Sequence, residues 1–322
     1  MEKLSMLVDA SLAIEKERVE GEVRQTHIVI NGLKVLVATG QISRKSAEEI
    51  LEQWKKRRIL PDAFRLQLSD PETDELVRRV RGLEDYVDGR VADLIKAHPA
   101  YPWFSRVKGV GGENIGKIVG PVRVKPADFM VCVNKECDTK RVPREDCIDT
   151  ICPSCEETLV EAGYADTISA LWMFSGWAPG EDGKAMRRVK GEKLPYNSQL
   201  RSMGWRLGQS LVRAKGKFYS YPEKGVGYIQ FKETYRQRFE NQGFRVVPAS
   251  ALPTTGGKKY EPEGVISEGH LHNMALRRTI KLFLACLWLV WREAEGLPVT
   301  KPYAIDKLGH VSFIDPWEMV DR

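Results

Sequence analysis

The residues best suited to chemistry are five cysteines in a short span: Cys132, Cys137, Cys147, Cys152 and Cys155. A Cys-x4-Cys pair followed by the knuckle Cys152-Pro153-Ser154-Cys155 has the spacing of a four-thiolate zinc ribbon. Zn²⁺ takes sulfur ligands readily and meets no electronic penalty in a tetrahedron. The expected ligands are Cys132, Cys137, Cys152 and Cys155, with Cys147 either a spare thiol or a substitute for Cys137. Four thiolates close the coordination shell, so the zinc expected is structural. Disulfides are the competing use of these thiols, and a reducing cytosol disfavours them. Cys286 lies in an apolar run and reads as a core residue.

A second element is the stretch Phe104–Val119, which contains Gly109-Val110-Gly111-Gly112 and reads as the turn of a helix-hairpin-helix. Glycines let a backbone approach closely, and the N–H groups at a helix start attract a phosphate. Lys108, Gly109, Val110, Gly111, Gly112 and Lys117 are therefore candidate nucleic-acid contacts, with Val110 packing inward. Such contacts hold the backbone and leave the bases unread.

The third element is charge. The chain has 322 residues, with 50 Lys+Arg against 44 Asp+Glu, a formal charge of +6. Ten cations and one acid, Glu192, lie between Lys184 and Lys217, so this segment carries +9 and leaves −3 for the rest. Clustered positive charge favours a polyanion, because each neutralised phosphate releases counterions. Aromatic residues interleave with these cations as stacking platforms would. The candidates here are Lys184, Arg187, Arg188, Lys190, Lys193, Tyr196, Asn197, Arg201, Trp205 and Arg206.

Nothing comparable points to catalysis. His270 and His272 are two apart, a poor metal pair on a helix. Neither a P-loop nor a dinucleotide fingerprint occurs. Glu181-Asp182 and Glu261/Glu263 read as loop charges, and no catalytic residue is assigned.

The elements that must position these groups are mainly α-helical. Residues 1–98 read as a helical N-terminal region. One helix spans Ser43–Arg58, and another runs from Pro71 to Ala97 with Leu76, Val80, Leu83, Val87, Val91 and Leu94 as its apolar stripe. An antiparallel pair or a short coiled coil is expected there, and with it a homo-oligomer. Residues 99–126 begin the helix-hairpin-helix, 127–163 form the zinc-ribbon insertion, and 164–245 form a basic helical domain. Within it, helix Ser198–Lys215 turns Leu200, Met203, Leu207 and Leu211 to one face and Arg201, Trp205, Arg206 and Arg213 away. A further helix covers Tyr228–Gln242. Residues 246–266 read as a linker, and 267–322 as a long helix, Glu268–Glu295, with a tail. The longest uncharged apolar run, Leu282–Trp291, is far shorter than the roughly 20 residues of a membrane span. Met1-Glu2-Lys3-Leu4 lacks a signal-peptide pattern, so a cytoplasmic protein is expected.

Several of these motifs occur in a suggestive order: Gly109-Val110-Gly111, then Gly176-Trp177-Ala178-Pro179, a basic stretch, Asn197, and Leu200-Arg201. The order resembles the C-terminal domain of DEDD-type insertion-sequence transposases and of the related Piv/MooV-type DNA invertases. The helix from His272 through Trp288 is similar to helices that follow this domain. The resemblance implies DNA strand exchange guided by a structured RNA. Family members also carry an N-terminal RuvC-like domain with four metal-binding acids, where this sequence reads as helical. Their serine nucleophile precedes the glycine of the basic stretch, where this chain has Glu181-Asp182 before Gly183-Lys184. The expected function is therefore nucleic-acid binding, to DNA or to structured RNA, without recombinase chemistry of the protein's own. An active transposase and a helical oligomerising protein are the alternatives.

Overall fold

Helices dominate the computed structural model, which describes residues 2–126, 128–134, 136–139, 141–147, 150–160, 164–180, 183–192, 194–299 and 314–322. Of the expected site residues, Lys193 lies outside the described residues, as do Glu181 and Asp182. The chain divides into two compact units, Met1–Asp93 and Leu94–Arg322.

The first unit contains α1 (Glu2–Ala38), α2 (Arg44–Arg57), the single turn α3 (Arg65–Leu68) and α4, which begins at Pro71. The Ser43 side chain caps α2 by accepting from the Ser46 amide, and Lys55, Lys56 and Arg57 sit at the negative end of its dipole. Val29, Leu33, Leu36, Trp54, Leu60 and Leu68 form the apolar core. The helices α1 and α4 run antiparallel, with Ser11 bonded to Asp88, Arg18 to Glu84 and Gln25 to Asp74. That seam corrects the expected stripe: Leu76 and Leu83 are exposed, while Val77, Glu84, Val87 and Val91 are buried. The inward face of α4 carries acids because Ser11 and Arg18 on α1 meet them there. The helix α4 ends at Leu94, and a 3-10 turn takes Ile95–Ala97.

The second unit opens with two short helices, α5 (Tyr101–Phe104) and α6 (Gly112–Val119). A three-stranded antiparallel sheet follows, with β1 (Phe129–Cys132) between β2 (Arg141–Pro143) and β3 (Leu159–Val160). Three helices come next, α7 (Ile168–Phe174), α8 (Ser198–Ala214) and α9 (Tyr228–Asn241). Leu200, Met203, Leu207 and Leu211 are all buried along α8, the face that the sequence pattern predicts. Residues 246–266 are more ordered than a linker. There β4 (Arg245–Val247) pairs in parallel with β7 (Val265–Ser267), and the hairpin β5 (Thr254–Thr255) and β6 (Lys258–Lys259) lies between them.

The centre of this unit is α10 (Glu268–Ala294), which packs against α5, α7, α8 and α9. Ser267 caps its start, and it is buried almost all round from Thr279 to Arg292. Its Trp288 indole donates to the Ala165 carbonyl at 2.9 Å, so a large apolar side chain is buried without an orphaned N–H. No helix among the described residues is long and apolar enough to cross a membrane.

Candidate functional site

Two sites emerge, and the smaller is the cysteine cluster. The β1–β2 hairpin supplies Cys132 and Cys137, and the knuckle before β3 supplies Cys152 and Cys155. Their four sulfurs lie within 4.8 Å of one another, with Cys132–Cys155 at 3.4 Å and Cys137–Cys152 at 3.8 Å. A tetrahedron with zinc–sulfur bonds of about 2.3 Å has edges of about 3.8 Å, so the set fits one zinc ion. Cys147 points elsewhere, its Sγ 3.2 Å from the Pro143 carbonyl oxygen. Burial pushes the Cys132 thiol up to about 12 and raises Cys137, while the backbone N–H of Ser154 brings Cys152 down to about 7. Apart from cysteines, the buried core of this module is Met130, Val142 and Leu159. So small a core holds a loop-rich module poorly without a cross-link or a metal.

The larger site lies between α8 and α10. Arg201, Ser202, Trp205 and Arg206 share one side of α8 at helical spacing, and Asn273 and Arg277, one turn apart, face them from α10. With Trp177 and Ala185 they line a cavity of about 490 Å³, whose described lining includes three arginines. Each of two guanidiniums is anchored by main chain. Arg201 donates to the Met186 carbonyl at 2.8 Å and lies 4.8 Å from the Tyr196 ring centroid. Arg277 donates to the Ala178 carbonyl at 2.7 Å and to that of Trp177 at 3.3 Å. Burial lowers the Arg277 pKa from its ordinary value, and the nearby charge of Arg201 lowers it further. Like charges brought together in a partly desolvated cleft are relieved by an anion.

Small residues shape this cleft. The chain turns at Gly176, with φ +73°, to end α7, and its Trp177 amide reaches back to the Trp172 carbonyl. A Cβ at Gly176 would meet the Tyr196 ring at 2.7 Å, and one at Gly204 would meet the Trp177 indole at 2.7 Å. The basic loop leaves from the cleft wall: Ala185 lines the cavity, and Lys184, Arg187, Arg188 and Lys190 beyond it are exposed.

The glycine hairpin departs from expectation. Gly109, with φ +91°, presses against α8, where an added Cβ would lie 2.9 Å from both the Ser210 carbonyl oxygen and the Ala214 Cβ. Ala214 is nine residues from Trp205, so at 100° per residue the hairpin and the cleft take opposite sides of α8. One surface joining hairpin amides and cations is thus replaced by two. The Lys108 amide donates to the Asp321 carboxylate at 2.7 Å. Gly111 is the N-cap of α6 and, with Gly112 and Val110, stays at least partly accessible; Val110 is half-buried, not sealed between helices. Lys117 is 1% exposed and ion-paired with Glu113 at 3.0 Å, so it does not present its charge at the surface. Asn197 caps α8, its side-chain oxygen accepting from the Leu200 amide at 2.9 Å.

Trp177, Asn273 and Arg277 complete the cleft and were not among the expected site residues. Their signals were available only as the Gly176-Trp177 turn and a polar pair at i, i+4 before an apolar helix. Comparison with protein-family models, curated proteins and solved structures gives no match.

Proposed function

We propose that this protein binds nucleic acid by its phosphate backbone, through the arginine-lined cleft of α8 and α10 and the exposed loop Lys184–Lys190 beside it. The observation that carries this reading is the convergence of Arg201, Arg206 and Arg277 with two indoles around one cavity. Arginine suits such a role because its charge persists and its planar fork matches phosphate oxygens. The order of motifs set out above supports kinship with the transposase C-terminal domain. We assign structural Zn²⁺ to the four cysteines: their sulfur geometry fits the ion, and holding the ribbon's strands together is the chemistry it would supply.

The test is anisotropy of a labelled oligonucleotide across salt. Affinity should fall by orders of magnitude between about 50 and 200 mM salt if several phosphates are contacted. Reversing Arg187, Arg188 and Lys190 to Glu should abolish binding, and unchanged affinity would refute the proposal. A strand-cleavage assay with Mg²⁺ on a junction substrate separates binding alone, which we expect, from recombination. The N-terminal helices are assigned to self-association, because α1 and α4 leave Val19, Val23, Leu76, Leu83 and Tyr86 exposed. Light scattering that finds only monomer would remove that assignment.

A further inference from the structure

We propose that the cleft between α8 and α10 receives a single unpaired nucleotide, its base stacked on Trp205 and its phosphate held by Arg201 and Arg277. This rests on the nucleic-acid reading above and names the form of nucleic acid that the cleft selects.

The argument begins with volume. A cavity of about 490 Å³ lies within the range of small-molecule pockets, roughly 300–1,000 Å³. Its chemistry is mixed in the way a nucleotide is. Trp205 is 39% exposed, so its ring has a face to offer, while Trp177 is 4% exposed and forms wall. Ser202 and the Asn273 amide supply neutral hydrogen-bonding groups for a base edge or a sugar.

The two arginines are held in place in advance. Arg201 uses Nη1 on the Met186 carbonyl, and Arg277 uses Nη2 on those of Trp177 and Ala178. Main-chain anchors of this kind fix each fork while its remaining N–H groups stay uncommitted to a carboxylate among the described residues. The ordering of two long side chains is then complete before a ligand arrives, which favours affinity.

A duplex does not satisfy this cleft. Its bases are hidden between their stacked neighbours, so only phosphates and groove edges reach a protein surface. An unpaired nucleotide exposes a π-face for Trp205 together with a phosphate for the arginines, and such stacking tolerates any base. The basic loop at the cleft mouth, Lys184–Lys190, would then follow the adjoining strand.

The experiment uses the full chain and three ligands: a single strand of about a dozen nucleotides, a blunt duplex of the same sequence, and thymidine monophosphate. The single strand should bind about tenfold or more tightly than the duplex. Trp205→Ala should weaken single-strand binding about tenfold without changing duplex binding, and Trp205→Phe should restore most of it. Trp205 is only partly covered, and the Phe variant separates lost stacking from lost fold. Equal affinity for both forms, or a Trp205→Ala variant that binds single strands normally, overturns the inference while the backbone-binding reading stands. No binding of either form overturns both. The mononucleotide identifies the source of the ligand: weak competition with the strand agrees with one residue of a polymer. Tight binding of the mononucleotide with none of the strand overturns the polymer source and the reading beneath it.

Discussion

The carboxylate of Asp321 accepts the backbone amide of Lys108 at 2.7 Å, joining residues 213 positions apart in the chain. Its other oxygen accepts the Lys217 amide at 2.8 Å, and the Asp321 amide donates to the Arg106 carbonyl. Two main-chain N–H groups beside a glycine hairpin thus hold an anion that the protein itself supplies. The segment around Asp321 is docked throughout: Met319 is fully buried, and the Trp103 indole donates to the Pro316 carbonyl at 2.7 Å.

Asp321→Ala should therefore destabilise the second unit by about 1–3 kcal/mol, because two amides lose a charged acceptor. Nucleic-acid affinity at the cleft should stay unchanged. Chemical denaturation and anisotropy on the same samples check both halves. A variant of full stability would show that water replaces the carboxylate without cost.

Elemental analysis should find one zinc per chain. Cys132→Ser or Cys155→Ser should remove it and expose the cysteine module to proteolysis, while Cys147→Ser should retain it, since its sulfur lies against the Pro143 carbonyl. Metal uptake should release protons as the thiols ionise. A folded, metal-free wild type would sink the assignment.

His98 makes stability depend on pH. The ring is buried against Trp291, its centroid 4.3 Å away, and Nδ1 accepts the Ala100 amide. Burial lowers its pKa from 6.5 to about 4. The unfolded chain therefore binds the proton first as pH falls. The contribution of the neutral ring is fully present above about pH 6.5 and is lost progressively toward about pH 4, up to about 3 kcal/mol. Urea unfolding at about pH 7 and about pH 5 should show this slope in the wild type. His98→Asn, which keeps an acceptor but does not titrate, should flatten it.

Gly204→Val tests the cleft wall. A Cβ there meets the Trp177 indole at 2.7–3.2 Å, and a rigid ring packed at 4% exposure has little room to yield. Stability should fall by about 1–3 kcal/mol, as overpacking usually costs. Strand binding should weaken with it, because Trp177 carries one of the carbonyls that anchor Arg277. Normal melting and normal binding together would show the wall to be soft.

What could be read in advance was local. The Cys132/Cys137 and Cys152/Cys155 spacing identified a thiolate set because a hairpin and a knuckle bring such pairs together over a few residues. The faces of α8 were legible because helical periodicity alone separates Leu207 from Arg206. Partners distant in sequence were not legible. Leu76 and Leu83 look like core until Arg18 and Ser11 turn Glu84 and Asp88 inward. Nothing near Lys108 announces Asp321, and nothing near Arg201 announces Arg277. By itself the sequence determined the helices, the thiolate set and where the cations cluster, since these depend on neighbours a turn or a hairpin apart. Only the tertiary structure decided that the hairpin faces away from the cleft and that an arginine from α10 completes it. Those relationships depend on how helices pack across long stretches of chain, which no local pattern encodes.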